Sequence, residues 1–368
     1  MNTIPEFFRD KVILITGATG FLGKPLVAKI LTDIPDIHKI YLLIRARAEP
    51  NGNVYSAAAR LQEEIFTSSV FTKLKGIHGS SFDEWIREKV SAVDGDLSLK
   101  RLGLSDSDYA RLTSEVRVFI NSGGLVKFDP AIDASLRSNT LGAKYAVEFA
   151  KSCNDAVLIH VSTAYVCGMR PGKVAEALHQ SYESYADGHR EQTGETMPSN
   201  LDAEIEDILY LSEKVRAEAH HSSRTVQFRK QAQRQLGGGK RKSQKLEAQI
   251  ETVRNRWIEA RLVEEGLNRA KSRGWNDTYT YTKSLGEQMI AKVKGDLPIA
   301  IVRPSIIESS LEEPEPGWLD GFRMADPIII GFAKGRLPDF PGKPEAITDI
   351  IPVDFVVNAI LALSLIHI

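Results

Sequence analysis

Val12-Ile13-Leu14-Ile15-Thr16-Gly17-Ala18-Thr19-Gly20-Phe21-Leu22-Gly23 decides the fold. An apolar run with no polar alternation reads as a strand buried on both faces. Three glycines at three-residue spacing then turn the chain into an amphipathic stretch carrying Leu26, Val27, Ile30 and Leu31. Each glycine has its own task. Gly17 permits the tight turn, Gly20 lets a pyrophosphate approach the backbone, and Gly23 lets the new helix pack close to the sheet. The helix start offers unpaired N–H groups and partial positive charge to an anion. A glycine triplet alone says little; strand before and helix after supply the context this motif needs.

Outward from that turn, apolar runs alternate with helical patterns. Strands are predicted at 12–15, 40–44, 90–93, 116–120, 156–161 and 299–302, and helices at 22–32, 54–66, 105–114, 131–152 and 279–294. Such alternation predicts an α/β protein, a Rossmann-like doubly wound parallel sheet. One stretch breaks the rhythm. Residues 202–273 are densely charged, acid-rich at 202–218 and basic at 224–245, where eight Lys or Arg surround Gly237-Gly238-Gly239. This reads as long helices around a glycine hinge, inserted into the frame. Solvated helical faces are the simpler account; a lid over the substrate, or a basic surface meeting phosphates or an anionic membrane, is the functional one. The expected organisation is 1–200 as the first part of the dinucleotide-binding domain, 201–273 as the insertion, and 274–368 as the remainder, with a truncated substrate-side end.

Composition excludes several classes. The 368 residues carry a net charge of −1, which argues against nucleic acid as a partner. Cys153 and Cys167 form no CxxC pattern, which fits a reducing cytoplasm. No run reaches the roughly 18 apolar residues of a membrane span. The eight histidines do not cluster with acids or cysteines at ligand spacing, so no metal site is expected.

The chemistry-bearing residues follow from position. Where an acid would hold a ribose 2′-hydroxyl at the end of the second strand, the chain has Ile44-Arg45-Ala46-Arg47. Arginine there suits a 2′-phosphate and predicts NADPH. Asp96, after the third strand, is expected to take the adenine amino group or simply to form a turn. Tyr279-Thr280-Tyr281-Thr282-Lys283 supplies Tyr-x-x-x-Lys, whose ends share a helix face. A nearby ammonium is expected to lower the phenol's pKa from about 10. Tyr210–Lys214 repeats the spacing inside the charged insertion, with no strand and loop arranged around it. The fifth strand ends in Ser162-Thr163-Ala164-Tyr165-Val166-Cys167-Gly168, and a hydroxyl at such a strand end can donate to a carbonyl oxygen as charge develops on it. Counting back from Gly168 selects Thr163. Asn121-Ser122-Gly123-Gly124 forms a small-residue loop beside the cofactor, and Asn139 is expected to support the site.

Together and in order, TGATGFLG, NSGG, VSTAYVCG, YTYTK and VRPSIIES resemble the extended short-chain dehydrogenase/reductase superfamily. Within it the chain looks like the fatty acyl-CoA reductases of the bacterial alcohol-forming kind, through GWNDTYTYTKSLGE, VRPSIIESSLEEPEPGW and DIIPVDFVVN. The resemblance implies an enzyme that reduces a long-chain acyl-CoA to aldehyde and then to primary alcohol with NADPH. It assigns Thr163, Tyr279 and Lys283 to catalysis. It assigns Thr16, Gly17, Thr19, Gly20, Phe21, Leu22, Gly23, Arg45, Arg47, Asp96, Asn121, Lys283 and Pro304 to the cofactor. Peripheral contact with a membrane through the acyl substrate follows from the same resemblance. The family's Asn-Ser-Ala-Ala is Asn-Ser-Gly-Gly here, which predicts a looser loop, and Tyr279 follows Thr163 by 116 residues, an unusually long excursion. The family also continues into a C-terminal segment associated with acyl binding. An epimerase-dehydrogenase acting on a nucleotide sugar or steroid-like substrate is the competing enzyme reading, opposed by Arg45 and the RPSIIES run. A non-catalytic dinucleotide sensor is opposed by the intact Thr163, Tyr279 and Lys283.

Overall fold

A computed structural model describes residues 3–48, 52–169, 172–178, 200–236, 243–322, 325–339, 342–343, 345 and 347–365. The chain divides into two compact units, one formed by Met1–Gly123, Gly142–Tyr165 and Lys292–Ile368, the other by Gly124–Leu141 and Val166–Ala291.

The first unit holds a six-stranded sheet: β1 (Val12–Thr16), β2 (Lys39–Ile44), β3 (Val90–Asp94), β4 (Val116–Asn121), β5 (Val157–Val161) and β6 (Ile299–Val302). The spatial order is β3-β2-β1-β4-β5-β6, with every pair parallel. The order reverses between β1 and β4, the switch point at which such sheets bind ligands beyond their carboxyl ends. Register places Thr16 opposite both Leu43 and Asn121, and Asn121 opposite His160, so these ends form one row. All five residues of β1 are buried, as its unbroken apolar run demands. Helix α1 (Gly23–Asp33) covers the sheet with Leu26, Val27, Ile30 and Leu31.

All six strands lie where the sequence puts them, within one or two residues. The predicted helix at 54–66 differs. Val54–Tyr55 pairs with Arg47–Ala48 as a short hairpin, and only Ala57–Arg60 is α-helical before a π-helical turn at Leu61–Phe66. Ser56 caps this helix through the Ala59 N–H, which is why the helix starts after Tyr55. The predicted helix at 131–152 also changes character: Ile132–Ser135 is α-helical, Leu136–Leu141 is π-helical, and α2 (Gly142–Ser152) resumes the α form.

The second unit is helical. The insertion forms α3 (Leu201–His220), α4 (Ser222–Leu236) and α5 (Ser243–Ser272), followed by α6 (Thr278–Val293). The glycine hinge at 237–239 lies outside the described residues. Among the described residues, no helix is long and apolar enough to cross a membrane.

Candidate active site

In the first unit the glycine turn is packed against its own backbone. Gly17 has φ +74°, and a Cβ there would stand 2.7 Å from the Ser122 carbonyl oxygen. A Cβ on Gly23 would overlap the Gly17 carbonyl. Gly20 has more room, with only the Gly17 oxygen near its missing Cβ, at 3.2 Å. No side chain caps the start of α1. A cradle that a Cβ would fill, opening onto an uncapped helix start, fits a dinucleotide phosphate.

Beneath the turn runs a buried polar chain across three strand ends. The Gly123 N–H donates to Thr16 Oγ1 (2.9 Å), the Thr16 hydroxyl donates to Asn121 Oδ1 (2.7 Å), and Asn121 Nδ2 meets His160 Nδ1 (3.0 Å). Ser122 Oγ donates to the Thr16 carbonyl at 2.6 Å. Thr16 and Asn121 therefore hold the loop with their side chains. The sequence reading missed His160, which looks like one more residue of an apolar strand; its place opposite Asn121 becomes visible only through the parallel register. A Cβ on Gly123 would lie 2.9 Å from Thr16 Oγ1, so glycine is what allows the close approach.

The remaining cofactor candidates of this unit occupy three places. Phe21 stacks on Trp318 (centroids 5.5 Å apart, planes 2° apart), so its ring is a packing element. Arg45 stands at the end of β2 with its side chain 73% exposed, 3.6 Å from Asp96 Oδ2. Arg47 lies 3.5 Å from Glu64. Asp96 Oδ1 accepts from the Ser98 N–H and hydroxyl (2.9 and 2.7 Å), the turn-forming alternative, while its second oxygen faces Arg45. Thr163 is buried; its hydroxyl donates to the Pro304 carbonyl and accepts from the Tyr165 N–H, each at 3.4 Å, so the two predicted residues meet at the ends of β5 and β6.

Tyr279 and Lys283 belong to the second unit, one turn apart on α6. Asp277 caps this helix through the Thr280 N–H (2.8 Å). Lys283 is 4% exposed. The expected depression of the phenol is corrected here. Burial pushes Tyr279 up to about 12, and the Asp277 carboxylate adds to the rise. Burial likewise pulls the Lys283 ammonium down to about 8, against the opposing charge of Glu287. The low-dielectric surroundings disfavour the charged form of each group. The phenol is protonated at physiological pH, so the proton it could give is in place, while the raised pKa makes it a weaker acid than a free tyrosine. Asn139 supports this region: its Oδ1 accepts from the Leu125 N–H (2.9 Å), and its Nδ2 reaches Thr282 Oγ1 (3.2 Å). Tyr210, of the competing Tyr-x-x-x-Lys spacing, is 67% exposed on α3.

A second buried polar group was not foreseen. Glu204 on α3 is fully buried; its Oε1 accepts from Arg269 Nε (2.7 Å) and from the Tyr281 hydroxyl, with Arg273 Nε 3.7 Å away. Desolvation opposes its ionisation, but Arg269 and the other donors hold its carboxyl below the usual range. The densely charged insertion is thus not merely solvated. The available signal was Glu204 on the same helical stripe as Leu201, Ile205, Ile208, Ser212 and Val215.

A glycine cradle at the switch point of a parallel sheet defines a dinucleotide-binding reductase-type fold. The chain belongs to the NAD-binding family described as Male sterility protein, matched over residues 15–360. It is 36% identical over 369 residues to the Alcohol-forming fatty acyl-CoA reductase of Simmondsia chinensis, covering 100% of this chain and 66% of that protein. It is 35% identical over 365 residues to Fatty acyl-CoA reductase 2, chloroplastic, of Arabidopsis thaliana, covering 98% of this chain and 52% of the relative. The chain thus spans about half to two-thirds of the length of these curated relatives. Among solved structures, the terminal R domain from the myxalamid PKS-NRPS biosynthetic pathway aligns with TM-score 0.57 and 18% identity over 97% of this chain and 63% of that one. The reductase (R) domain of a non-ribosomal peptide synthetase from Mycobacterium tuberculosis aligns with TM-score 0.53 and 20% identity over 96% of this chain and 63% of that one. These likenesses show the fold.

Proposed function

We propose that the protein reduces long-chain fatty acyl-CoA to the aldehyde, and the aldehyde to the primary alcohol, with NADPH. The observation that carries this reading is the half-buried Tyr279 one turn from the buried Lys283 on α6, its phenol held neutral, in a chain similar along its whole length to proteins named fatty acyl-CoA reductases. Thr16 and Asn121 hold the loop, the Gly17–Gly23 cradle and the start of α1 bind the pyrophosphate, and Arg45 takes the 2′-phosphate. NADPH supplies the hydride in each of the two reductions.

The other tasks fall to side chains. Thr163 donates a hydrogen bond to the substrate carbonyl oxygen as negative charge develops there. Tyr279 transfers its proton to the same oxygen, as general acid. Lys283 holds the nicotinamide ribose and favours the phenolate that proton transfer leaves on Tyr279. The resulting hemithioacetal loses the CoA thiol and becomes the aldehyde, which passes through the same proton transfer to the alcohol.

The test is NADPH oxidation with palmitoyl-CoA, with products identified by gas chromatography. Tyr279→Phe is expected to lose at least about a hundredfold in turnover while still binding NADPH. Near wild-type turnover in that variant, or a product other than aldehyde or alcohol, overturns the assignment.

A further inference from the structure

Thr282 sits between Tyr279 and Lys283 in sequence, and it is fully buried. Its hydroxyl lies 2.9 Å from the Thr278 carbonyl one turn back, 2.8 Å from Ser135 Oγ and 3.2 Å from Asn139 Nδ2. A threonine hydroxyl has one proton and two lone pairs. Donation shared between the Thr278 carbonyl and the Tyr279 carbonyl (3.1 Å), with acceptance from Ser135 and Asn139, uses all three. The Thr282 carbonyl is held as well, by the Thr140 hydroxyl at 2.8 Å. One residue of α6 is therefore gripped at both its side chain and its backbone, immediately before the lysine.

The grip depends on an irregularity. In a 3.6-residue turn, position 140 would face about 140° away from position 135. The π-helical turn at Leu136–Leu141 is wider and brings Thr140 back to the side of Ser135 and Asn139. Single π turns in α-helices frequently mark functional sites. Gly124 supplies a second, independent link to the lysine. A Cβ there would stand 3.0 Å from Asn139 Oδ1 and 3.3 Å from Lys283 Nζ. The amide that reaches Thr282 and the amine of Lys283 thus border the same missing methyl group.

We propose that Thr282 is the positioning residue for the Tyr279–Lys283 pair, held by Ser135 and Thr140 through the π turn, so that its hydroxyl fixes where the lysine amine stands. This rests on the reductase reading above. Losing the grip leaves the helix bond to Thr278 without its lateral anchor, and α6 slides or rotates by a fraction of an ångström. Displacements of that size at reacting groups cost large factors in rate.

The experiment compares Thr282→Val, which keeps shape and removes the hydroxyl, with Thr282→Ser, which keeps the hydroxyl. Steady-state kinetics of NADPH oxidation with palmitoyl-CoA are followed across pH 6–10, with NADPH affinity by fluorescence and thermal unfolding in parallel. Thr282→Val is expected to lose about tenfold or more in kcat, with the alkaline limb of its pH profile displaced, and Thr282→Ser to stay within about threefold of wild type. Ser135→Ala and Thr140→Val remove one anchor each without touching α6, so they carry the test if Thr282→Val does not fold; each is expected to show the same displacement at smaller amplitude. Equal loss in Thr282→Val and Thr282→Ser, or a wild-type kcat and pH profile in Thr282→Val or in both anchor variants while Lys283→Ala is inactive, overturns the positioning role and leaves the reductase reading intact. Wild-type turnover in Lys283→Ala overturns both.

Discussion

The glycine turn of the first unit and the Tyr279–Lys283 turn of the second are built on opposite principles. The first is mostly backbone: three missing side chains let Gly17, Ser122 and Gly23 approach one another. The second is side chains, with Ser135, Asn139 and Glu204 reaching α6 from segments more than seventy residues away in sequence. A backbone device fails when atoms are added. A side-chain device fails when they are removed. The largest expected effect belongs to addition. Gly17→Ala combines a positive φ with a Cβ against the Ser122 carbonyl, and each fault costs about 1–3 kcal/mol. We expect urea unfolding to show at least ~3 kcal/mol of lost stability, with NADPH binding abolished. An alanine variant that binds NADPH normally would break the contrast at its strongest point.

Removal is tested at Glu204. Glu204→Gln removes the buried carboxylate and leaves Arg269 with only the half-exposed Asp207, 2.6 Å away, as a charge partner, so the loss should stay below the roughly 3 kcal/mol of a fully broken buried pair. Tyr281→Phe removes one hydrogen bond to the same oxygen and should cost about 1 kcal/mol. Denaturant unfolding of both variants and of the double mutant measures the coupling. If Glu204→Gln is neutral, the carboxylate does not anchor α6.

The same contrast explains what could be read from sequence. Gly17, Gly20 and Gly23 announce themselves because every requirement lies within seven residues, and β1 and β5 do so because full burial removes polar alternation. Tyr279 and Lys283 were legible as a spacing. Their surroundings were not, because Thr282 and Glu204 gain meaning only from partners that folding brings, and a π turn has no signature in the run Leu136-Arg137-Ser138-Asn139-Thr140-Leu141. The expected direction of the Tyr279 shift failed for the same reason. It weighed a neighbour visible in the sequence against burial that was not.

Lys283 sharpens the comparison through pH. Its ammonium is disfavoured by burial, so its folded-state value, about 8, lies below the ordinary 10.5. Between pH 8 and 10 the unfolded chain binds more protons at this site than the folded one, so stability should rise with pH by up to ~3 kcal/mol. Activity should move the other way and fall above about pH 8, since the proposed role needs the ammonium. Lys283→Met should abolish the stability rise, and unfolding free energies of both proteins across that range are the check. Parallel curves for the two proteins would mean that the lysine is hydrated.

The smallest effect on folding is expected at Arg45, where the backbone device meets an exposed side chain. The guanidinium is 73% exposed and 3.6 Å from Asp96, a surface pair worth well under ~1 kcal/mol. Arg45→Ala should therefore leave the unfolding midpoint unchanged. If the arginine takes a 2′-phosphate, the variant should lose about tenfold in NADPH affinity and nothing in NADH affinity, because charge-assisted contacts to phosphate are among the stronger hydrogen bonds. Titrating both cofactors against wild type and variant separates the cradle, which serves either dinucleotide, from the arginine, which distinguishes them. Equal losses for both would assign Arg45 to the shape of the turn at the end of β2, where Arg60 already holds its carbonyl oxygen at 2.7 Å.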